Sequence, residues 1–292
     1  MGFPLLAYEL LKIQKESIKG SSNSINKKCL MFGRAKMTLT DQQIKKVIAR
    51  DNISPDLLKG WADNFLNTYG FDWVRSLDYS SFEGAEFTWN LNKPLVNPCG
   101  AITEIIGNID LILDYGTTEH VFNPSLSIWN ASVLLRKGGY FNSILPVLGF
   151  CDHGFYQFSP SFFYSVDRPE LKLEALYFSI HDRHADSLIF WDGLSSEFRE
   201  HVHGAFDGSF AANCLQFLNK PIVAWALYKK ENDVTHDDFV YDTQQSIYSA
   251  QWEGALKKDL SDADKLEIYL LSGDERARKL GDYVRSIALP QI

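Results

Sequence analysis

Short apolar runs recur along the chain, and segments with helical spacing separate them. Seven of these runs have the length of strands, and they predict strands at residues 29–32, 72–78, 86–91, 110–113, 140–148, 173–180 and 222–228. Apolar positions three or four residues apart predict helices at 5–18, at about 41–50, and between Ser54 and Gly70. This alternation indicates an α/β protein with a doubly wound, mostly parallel, seven-stranded sheet and helices on both faces.

The stretch from residue 109 to residue 148 shows this order most clearly. A short apolar run ends in Asp114, and Gly116 breaks the chain before a segment with helical spacing. The pair Gly138-Gly139 then predicts a turn before the next apolar run. The order strand, loop, helix, turn and strand predicts a βαβ unit with a right-handed crossover. Ligands bind at the carboxyl ends of such strands, so we expect the chemistry in the loop that follows Asp114.

Composition divides the chain into three parts. We expect an N-terminal helical cap over 1–26, an α/β domain over 27–232, and a C-terminal helical extension that packs on the same domain over 233–292. The last two predicted strands are separated by 41 residues, 181–221, of polar and helical character. This segment is too long for a hairpin loop, which indicates an insertion or lid.

The overall charge and the distribution of apolar residues exclude several classes of protein. Hydrophobic residues make up 45% of the 292 residues, enough for a sizeable core, and the net charge is −8. An acidic chain without a long Lys/Arg cluster argues against a nucleic-acid partner. There is no apolar run of signal-peptide or membrane-span length. We therefore expect a soluble, cytoplasmic protein.

The cysteines and most histidines give no pattern typical of a metal site. The cysteines are far apart and form no Cys-x-x-Cys pair: Cys29, Cys99, Cys151 and Cys214. They are expected to be small buried hydrophobes in a reducing compartment. Two histidine pairs lie in the insertion, namely His181 with His184 and His201 with His203. Neither pair has the spacing of a known zinc motif, so no metal site is predicted.

Several short motifs add a resemblance to a known family. Glu119-His120-Val121 follows the fourth predicted strand and precedes Leu-Arg-Lys-Gly-Gly at 135–139. Further motifs lie at 77–85, 116–123, 153–160 and 244–252. Over about residues 27–255 the chain resembles class I S-adenosylmethionine-dependent methyltransferases, in particular a bacterial subgroup found with sugar and surface-polysaccharide genes. The resemblance implies a Rossmann-like methyltransferase fold, S-adenosyl-L-methionine as cofactor and a role in carbohydrate biosynthesis.

The resemblance assigns cofactor contacts to the ends of the first two strands. Gly33 corresponds to the position where the backbone approaches the methionine part of the cofactor. The family's Gly-x-Gly-x-Gly pattern is reduced here to Gly33, Ala35 and Met37, and a simple strand-to-helix turn is the alternative. Asp78 corresponds to the acidic residue that binds both ribose hydroxyls, with a turn aspartate as the alternative.

Further cofactor contacts are implied at the third and fourth strands. Asn90 and Asn92 correspond to the position that meets the adenine amino group, with turn asparagines before Pro94 as the alternative. Asp114 and Tyr115 would face the amino group and the sulfonium of the cofactor. The alternative for Asp114 is to cap the next helix. Glu119 is assigned to the same cofactor-binding set.

Candidate acceptor-side residues come from the loops after the fourth and fifth strands. His120 and His153 are candidates for the general base, since imidazole can take the proton of an acceptor hydroxyl. Tyr156 lies in the same aromatic loop, which would suit a flat or sugar-like acceptor. His120 could instead have an architectural role at the helix start, and Phe155 could simply belong to the core.

The sequence therefore predicts a methyltransferase for a small or carbohydrate-like acceptor, acting at oxygen, without nucleic-acid or membrane partners and with a homodimer left open. The alternative is an inactive relative that serves as a binding or scaffold subunit, as the reduced glycine pattern would allow. A nicotinamide-dependent oxidoreductase is disfavoured because Gly-x-Gly-x-x-Gly is absent.

Overall fold

A computed structural model describes residues 2–18, 27–168, 170–182, 190–192 and 221–234. The strands in this part of the chain are β1 (Gly2–Phe3), β2 (Lys28–Phe32), β3 (Lys36–Met37), β4 (Trp73–Asp78), β5 (Phe87–Thr88), β6 (Ile109–Asp114), β7 (Leu135–Leu148), β8 (Leu173–Asp182), β9 (Phe190–Asp192) and β10 (Ile222–Lys230). The α-helices are α1 (Leu5–Ile18), α2 (Asp41–Asp51), α3 (Asp63–Tyr69), α4 (Pro124–Leu134) and α5 (Pro160–Val166).

The main sheet has the order β5-β4-β2-β6-β7-β10-β8-β9. The pairs β5–β4, β4–β2, β2–β6 and β6–β7 are parallel. Strand β10 is antiparallel to both β7 and β8, so β8 has the direction of the first five strands. A mostly parallel sheet with one inverted strand near its edge is the Rossmann-like methyltransferase arrangement. The predicted fold class is confirmed, and β9 adds a short antiparallel strand within the predicted insertion.

Two hydrophobic cores cover the two faces of the sheet. On β2, Cys29 and Met31 belong to the core shared with α1, α2 and α3, whereas Leu30 and Phe32 belong to the core shared with α4 and α5. Side chains alternate along a strand, so a central strand buried on both faces must be apolar throughout. The run Cys29–Phe32 meets that requirement.

The N-terminal helix α1 covers the first of these faces. Its bounds are those predicted, and its side chains are buried on almost every side up to Gln14. Glu9 accepts a bond from Arg50 at 2.7 Å, and Lys12 lies 2.7 Å from Asp51, so α1 is tied to the end of α2. Strand β1 pairs in parallel with β3, which places the start of the chain beside the loop that follows β2.

Local signals explain where the helices on this face begin and end. Helix α2 starts at a capping box, in which the Thr40 hydroxyl accepts from the Gln43 amide and the Gln43 side chain accepts from the Thr40 amide. The helix predicted after Ser54 is interrupted: a 3-10 turn at Pro55–Leu58 is followed by α3. Gly60 separates the two with φ +72, a left-handed conformation that a continuous helix cannot contain.

Two predicted strand boundaries differ from the structure. Strand β7 begins at Leu135, five residues before the predicted start, and Gly138-Gly139 lies inside it rather than forming a turn. Ile109 pairs with Leu135 and Leu111 with Tyr140, so residues 136–139 bulge opposite Asp110. A Cβ on Gly139 would lie 2.8 Å from the Ile109 carbonyl oxygen, which explains why glycine occurs in the bulge. Strand β5 is limited to Phe87–Thr88, because the chain turns at Asn90.

Within the described part of the chain, no helix combines the length and apolar character needed to cross a membrane. Of the predicted domain divisions, the C-terminal extension from residue 235 onward and most of the insertion lie outside the described residues.

Candidate functional site

The carboxyl ends of the parallel strands lie along one edge of the sheet. The register pairs Phe32 with Leu77 and Leu77 with Phe87, and on the other side it pairs Asp114 with Ser143. The chain turns to one side after β2 and returns to the other side at β6, so the topological switch point lies between these two strands. In sheets of this kind the ligand crevice is found there.

A hydrogen bond crosses this switch point. The Thr117 hydroxyl donates to the Phe32 carbonyl at 2.6 Å and ties the loop after β6 to the end of β2. On the other side of β2, the Gly33 amide donates to the Leu77 carbonyl at 2.8 Å. The loops that follow β2, β4 and β6 are therefore fixed relative to one another by short local contacts.

The glycine turn after β2 retains only one of the three family positions. Gly33 has φ +69, a conformation that glycine adopts without strain. Ala35 and Met37 are buried in the core beneath α1 to α3. Met37 pairs with Phe3 of the N-terminal strand, so its side chain contributes to that core.

Arg34 connects the loops after β2 and β4, a role that the sequence did not indicate. Its Nε lies 3.3 Å from Asp63, its Nη1 donates to the Glu83 carbonyl at 3.1 Å, and its guanidinium lies 4.7 Å from the Trp61 ring centroid. A Cβ on Gly84 would lie 2.7 Å from Nη1, so glycine gives the guanidinium room. We call Gly33, Arg34, Asp78 and Glu83 the arginine corner.

Asp78 ends β4 within the arginine corner, as predicted, and its side chain is half-buried. One carboxylate oxygen accepts from the Tyr79 amide at 2.6 Å, which is the contact of a turn aspartate. The other oxygen, Oδ2, has no hydrogen-bond partner among the described residues. The position therefore combines the turn role with an oxygen that can accept a bond from a ligand.

Asn90 and Asn92 lie in the turn after β5. The Asn90 side chain accepts from the Asn92 amide at 2.9 Å, and the Asn92 side chain accepts from the Asn123 amide at 2.9 Å. These bonds order the turn and connect it to the start of α4. They are the contacts of the turn alternative, and a role in adenine binding stays a prediction.

Asp114 is fully buried, and its carboxylate is used within its own loop. One oxygen accepts from the amides of Thr117 and Thr118, and the other accepts from the Thr118 hydroxyl. Burial raises the pKa of Asp114, while these hydrogen bonds lower it. The contacts correct the predicted role, because a carboxylate that caps the loop does not face a ligand at the edge of the sheet.

Tyr115 is buried in the core beneath α1 to α3. Its side chain is 5% exposed, and its ring and that of Phe3 have a T-shaped arrangement with 5.4 Å between the ring centroids. The predicted contact with the sulfonium stays a prediction, and the observed partner of the ring is the N-terminal strand β1. Burial raises the pKa of Tyr115 well above its ordinary value.

The loops after β6 and β7 bring together three predicted residues. Glu119, His120 and His153 place one potential ligand atom each within 4.8 Å of the others. The imidazole centroids of the two histidines are 5.1 Å apart, and His120 Nε2 lies 4.0 Å from a Glu119 carboxylate oxygen. Burial, and then the neighbouring His153, lowers the pKa of His120. We call Glu119, His120, His153 and Gly154 the histidine corner.

Backbone contacts hold the histidine corner together. The Phe155 amide donates to the Glu119 carbonyl at 2.8 Å, and a Cβ on Gly154 would lie 2.9 Å from that same oxygen. Glu119 is 2% exposed, whereas both histidines are exposed. The loop after β7 therefore lies directly on Glu119, an approach that only glycine at position 154 permits.

An aromatic rim adjoins the two histidines. Phe122 and Phe155 are 69% and 65% exposed, and their rings meet edge to face with centroids 5.6 Å apart. The Tyr156 hydroxyl donates to the Phe122 carbonyl at 2.7 Å. Tyr156 thus positions the rim, and its proton is already engaged, so we assign it a positioning rather than a proton-transfer role.

Other candidate residues lie away from this edge or outside the described part of the chain. His181 is buried on β8, where its Nε2 lies 2.7 Å from the Ser179 hydroxyl. Cys29 is buried, while Cys99 and Cys151 are exposed free thiols. The remaining candidates, and the motif at 244–252, fall outside the described residues: His184, His201, His203 and Cys214.

No protein-family model matches the sequence, and no curated protein matches it. The chain is similar to the O-methyltransferase of a trans-AT polyketide synthase multienzyme of Brevibacillus brevis in complex with S-adenosyl-L-homocysteine, with 11% identity, 90% of this chain and 83% of that chain covered, and a TM-score of 0.36. It is also similar to an S-adenosylmethionine-dependent methyltransferase from Mesorhizobium loti, with 9% identity and a TM-score of 0.37. That match covers 73% of this chain and 96% of the other chain.

A third similar structure is the CMeT domain of citrinin polyketide synthase, with 13% identity and a TM-score of 0.30. There the match covers 48% of this chain and 35% of that chain, so the protein spans about a third of its length. The strand order and directions described above define the fold.

Proposed function

We propose that the protein is an S-adenosylmethionine-dependent methyltransferase that acts on a small or carbohydrate-like acceptor at oxygen. The observation that carries this proposal is the sheet order itself, with its switch point between β2 and β6 and one inverted strand near the edge. That arrangement places the arginine corner and the histidine corner along the same edge. A donor and an acceptor bound at the two corners would meet there.

The residues of the arginine corner fit the proposed cofactor in part. Gly33 gives the left-handed turn at the end of β2, where backbone can approach a bound methionine tail. Asp78 Oδ2 is an acceptor suited to ribose hydroxyls. Asp114 and Tyr115 support the loop and are not assigned to the cofactor. When bound, S-adenosylmethionine would supply an electrophilic methyl group on its sulfonium.

The histidine corner and its aromatic rim suit an acceptor. The exposed faces of Phe122 and Phe155 can stack against a sugar or another flat apolar face. The imidazoles of His120 and His153 lie beside that rim and can accept a hydrogen bond, and then the proton, from an acceptor hydroxyl. The oxygen would then form its bond to the methyl carbon as the carbon–sulfur bond breaks. The preference for a carbohydrate comes from the sequence resemblance.

Calorimetry tests the proposal directly. S-adenosylmethionine and S-adenosylhomocysteine are titrated into the full chain, and binding of both near 1:1 is expected. Absence of heat with either ligand at millimolar concentration would contradict the proposal. Release of S-adenosylhomocysteine is then measured with a panel of sugars, sugar nucleotides and small phenols, which tests the acceptor class separately from cofactor binding.

A second candidate function is a non-catalytic binding or scaffold subunit, and Arg34 is the observation that favours it. The guanidinium is held by Asp63, by the Glu83 carbonyl and by stacking on Trp61. These contacts bridge the loops after β2 and β4, next to the place proposed for the methionine tail. If Arg34 occupies that place permanently, replacement by methionine is expected to create cofactor binding that the native chain lacks.

A further inference from the structure

The histidine corner has a donor set that the proposed methyl transfer does not fully use. It contains one carboxylate and two imidazoles, from Glu119, His120 and His153. The carboxylate is on a side chain that is only 2% exposed, and burial of a carboxylate is costly unless charged or hydrogen-bonding groups offset it. Both histidines are exposed. A buried acid that faces two exposed histidines is an arrangement that a cation would stabilise.

The spacing of the donor atoms is close to that of a coordination shell. Metal–nitrogen and metal–oxygen bonds of roughly 2.0–2.2 Å put neighbouring ligand atoms of a tetrahedral site about 3.3 Å apart. Here the three donor atoms lie within 4.8 Å of one another, and His120 Nε2 is 4.0 Å from Glu119 Oε1. Because both histidines are exposed, rotation of their side chains can shorten these distances without moving the buried carboxylate.

The backbone around the cluster is already arranged for binding. The bond from the Phe155 amide to the Glu119 carbonyl fixes the loop that carries His153 against the residue that carries the acid. Gly154 allows this approach, since its Cα lies against Glu119. The two loops are thereby fixed against each other before an ion binds. Binding would therefore cost little conformational entropy of the chain.

We propose that Glu119, His120 and His153 form a binding site for a divalent transition-metal cation. Two imidazoles and one carboxylate favour Zn²⁺, Co²⁺, Fe²⁺, Ni²⁺ or Mn²⁺ over Mg²⁺ and Ca²⁺, which prefer oxygen ligands throughout. Three protein ligands leave further coordination positions open for water or a substrate oxygen. Metal binding itself does not depend on the proposed function.

A role for the ion does rest on the proposed function. An acceptor hydroxyl bound at an open position would be polarised by the cation and would release its proton to solvent more easily; its oxygen would then form the bond to the methyl carbon as the carbon–sulfur bond breaks. The two imidazoles would then hold the ion, in place of taking the proton themselves. Transfer to such an acceptor would depend on the metal.

Titration of Zn²⁺ and Co²⁺ into chelator-treated protein tests the site. We expect near-1:1 binding of Zn²⁺ by calorimetry and visible Co²⁺ absorption bands typical of mixed nitrogen and oxygen ligands. E119Q and H153Q should each weaken Zn²⁺ binding by about 100-fold or more, since outer-shell changes alone cost 10–100-fold. D152N, an exposed neighbour of His153 outside the cluster, removes one carboxylate charge and should change the affinity by less than about twofold.

G154A keeps all three ligands and tests the geometry. Its Cβ would meet the Glu119 backbone at 2.9 Å, so it should separate the two loops and weaken Zn²⁺ binding while circular dichroism stays native. Failure of Zn²⁺ to bind below millimolar concentration, or equal binding by the native protein and H153Q, would overturn the metal site. S-adenosylhomocysteine is titrated in parallel without metal, so that failure of the cofactor proposal is seen separately.

Discussion

The arginine corner and the histidine corner lie on the same edge of one sheet but are held in different ways. In the arginine corner, one partly exposed guanidinium reaches Asp63 and the Glu83 carbonyl at 3.1–3.3 Å. In the histidine corner, a backbone bond of 2.8 Å and the close approach of Gly154 fix the loop after β7 on a buried acid. The contacts of the arginine corner depend on one long, partly buried side chain, whereas those of the histidine corner are made by the backbone.

This difference indicates that the two corners have different roles in ligand binding. The backbone of the histidine corner is preorganised, so the loop that carries His153 already lies on Glu119 before a ligand arrives. The arginine corner can open by release of a single side chain, as a site that admits a large cofactor requires.

Loss of an imidazole in the histidine corner should have the largest effect. H153Q is expected to lower methyl-transfer turnover by about 10²–10⁴-fold, because a positioned proton acceptor or metal ligand is removed. The affinity for S-adenosylhomocysteine should stay within about twofold of the native value. Y156F, which removes only the bond to the Phe122 carbonyl, should lower turnover far less. Equal losses in the two variants would contradict separate roles.

A change in the arginine corner should act on cofactor affinity. D78N keeps the size of the side chain and the bond from the Tyr79 amide but removes the charge. Loss of charge-assisted bonds to the ribose is expected to raise the Kd for S-adenosylhomocysteine by about 10–100-fold. D72N, a carboxylate at the opposite end of the same strand, serves as the control. An unchanged Kd in D78N would remove Asp78 from the cofactor site.

His181 should make the free energy of unfolding depend on pH, and it lies away from the candidate site, so its effect can be measured apart from activity. Complete burial lowers the pKa of His181 from 6.5 to about 3. The unfolded chain therefore binds this proton more readily, and the stability contribution is present in full above pH 6.5 and is lost as the pH falls toward 3. Between these two pH values, this group should lower the free energy of unfolding by about 1.4 kcal/mol for each pH unit of acidification. Denaturant unfolding of H181Q should show a shallower pH dependence, and an unchanged slope would contradict the assignment.

The turn after β2 should respond to backbone strain. Gly33 has φ +69, so G33A is expected to cost about 1 kcal/mol in the free energy of unfolding. Asparagine tolerates this conformation better, so G33N should be less destabilising than G33A. Urea unfolding measures both variants. Equal stability of G33A and the native protein would show that the turn does not require glycine.

Replacement of Arg34 should have the smallest effect on the affinity for S-adenosylhomocysteine. Whether the affinity falls or rises distinguishes the two candidate functions. R34M removes the contacts with Asp63 and Glu83 while retaining a long side chain that can pack on Trp61. If Arg34 only closes the corner over the cofactor, affinity for S-adenosylhomocysteine should fall by roughly two- to fivefold. A gain in affinity would instead support the inactive alternative, in which the guanidinium occupies the cofactor position.

Much of this fold could be predicted because its determinants are local. The capping box at Thr40 set the start of α2, and the apolar runs located every strand that pairs in the seven-stranded part of the sheet. Errors arose where tertiary contacts override local signals. Gly138-Gly139 resembles a turn but lies in a bulge, because the neighbouring strand requires a residue without a side chain there.

For the candidate site, the sequence could predict which residues lie at the ends of strands but not which contacts their side chains make. Asp78 and Asp114 both end parallel strands. Only the structure shows that Asp78 keeps one oxygen available to a ligand, whereas both oxygens of Asp114 accept hydrogen bonds within its own loop. The association of Glu119 with His153 depends on contact between two loops. No spacing in the sequence indicates that contact, although the glycine at position 154 is consistent with a close approach.

A crystal structure with S-adenosylhomocysteine shows whether the cofactor binds between Gly33 and Asp78. We expect density for the ligand at the carboxyl ends of β2 and β4, with ribose hydroxyls within hydrogen-bond distance of the Asp78 carboxylate. Arg34 is expected to lie over the methionine tail or to have moved away from it. Crystals grown with saturating ligand that show no density there, with Arg34 still bonded to the Glu83 carbonyl, would refute cofactor binding at this place.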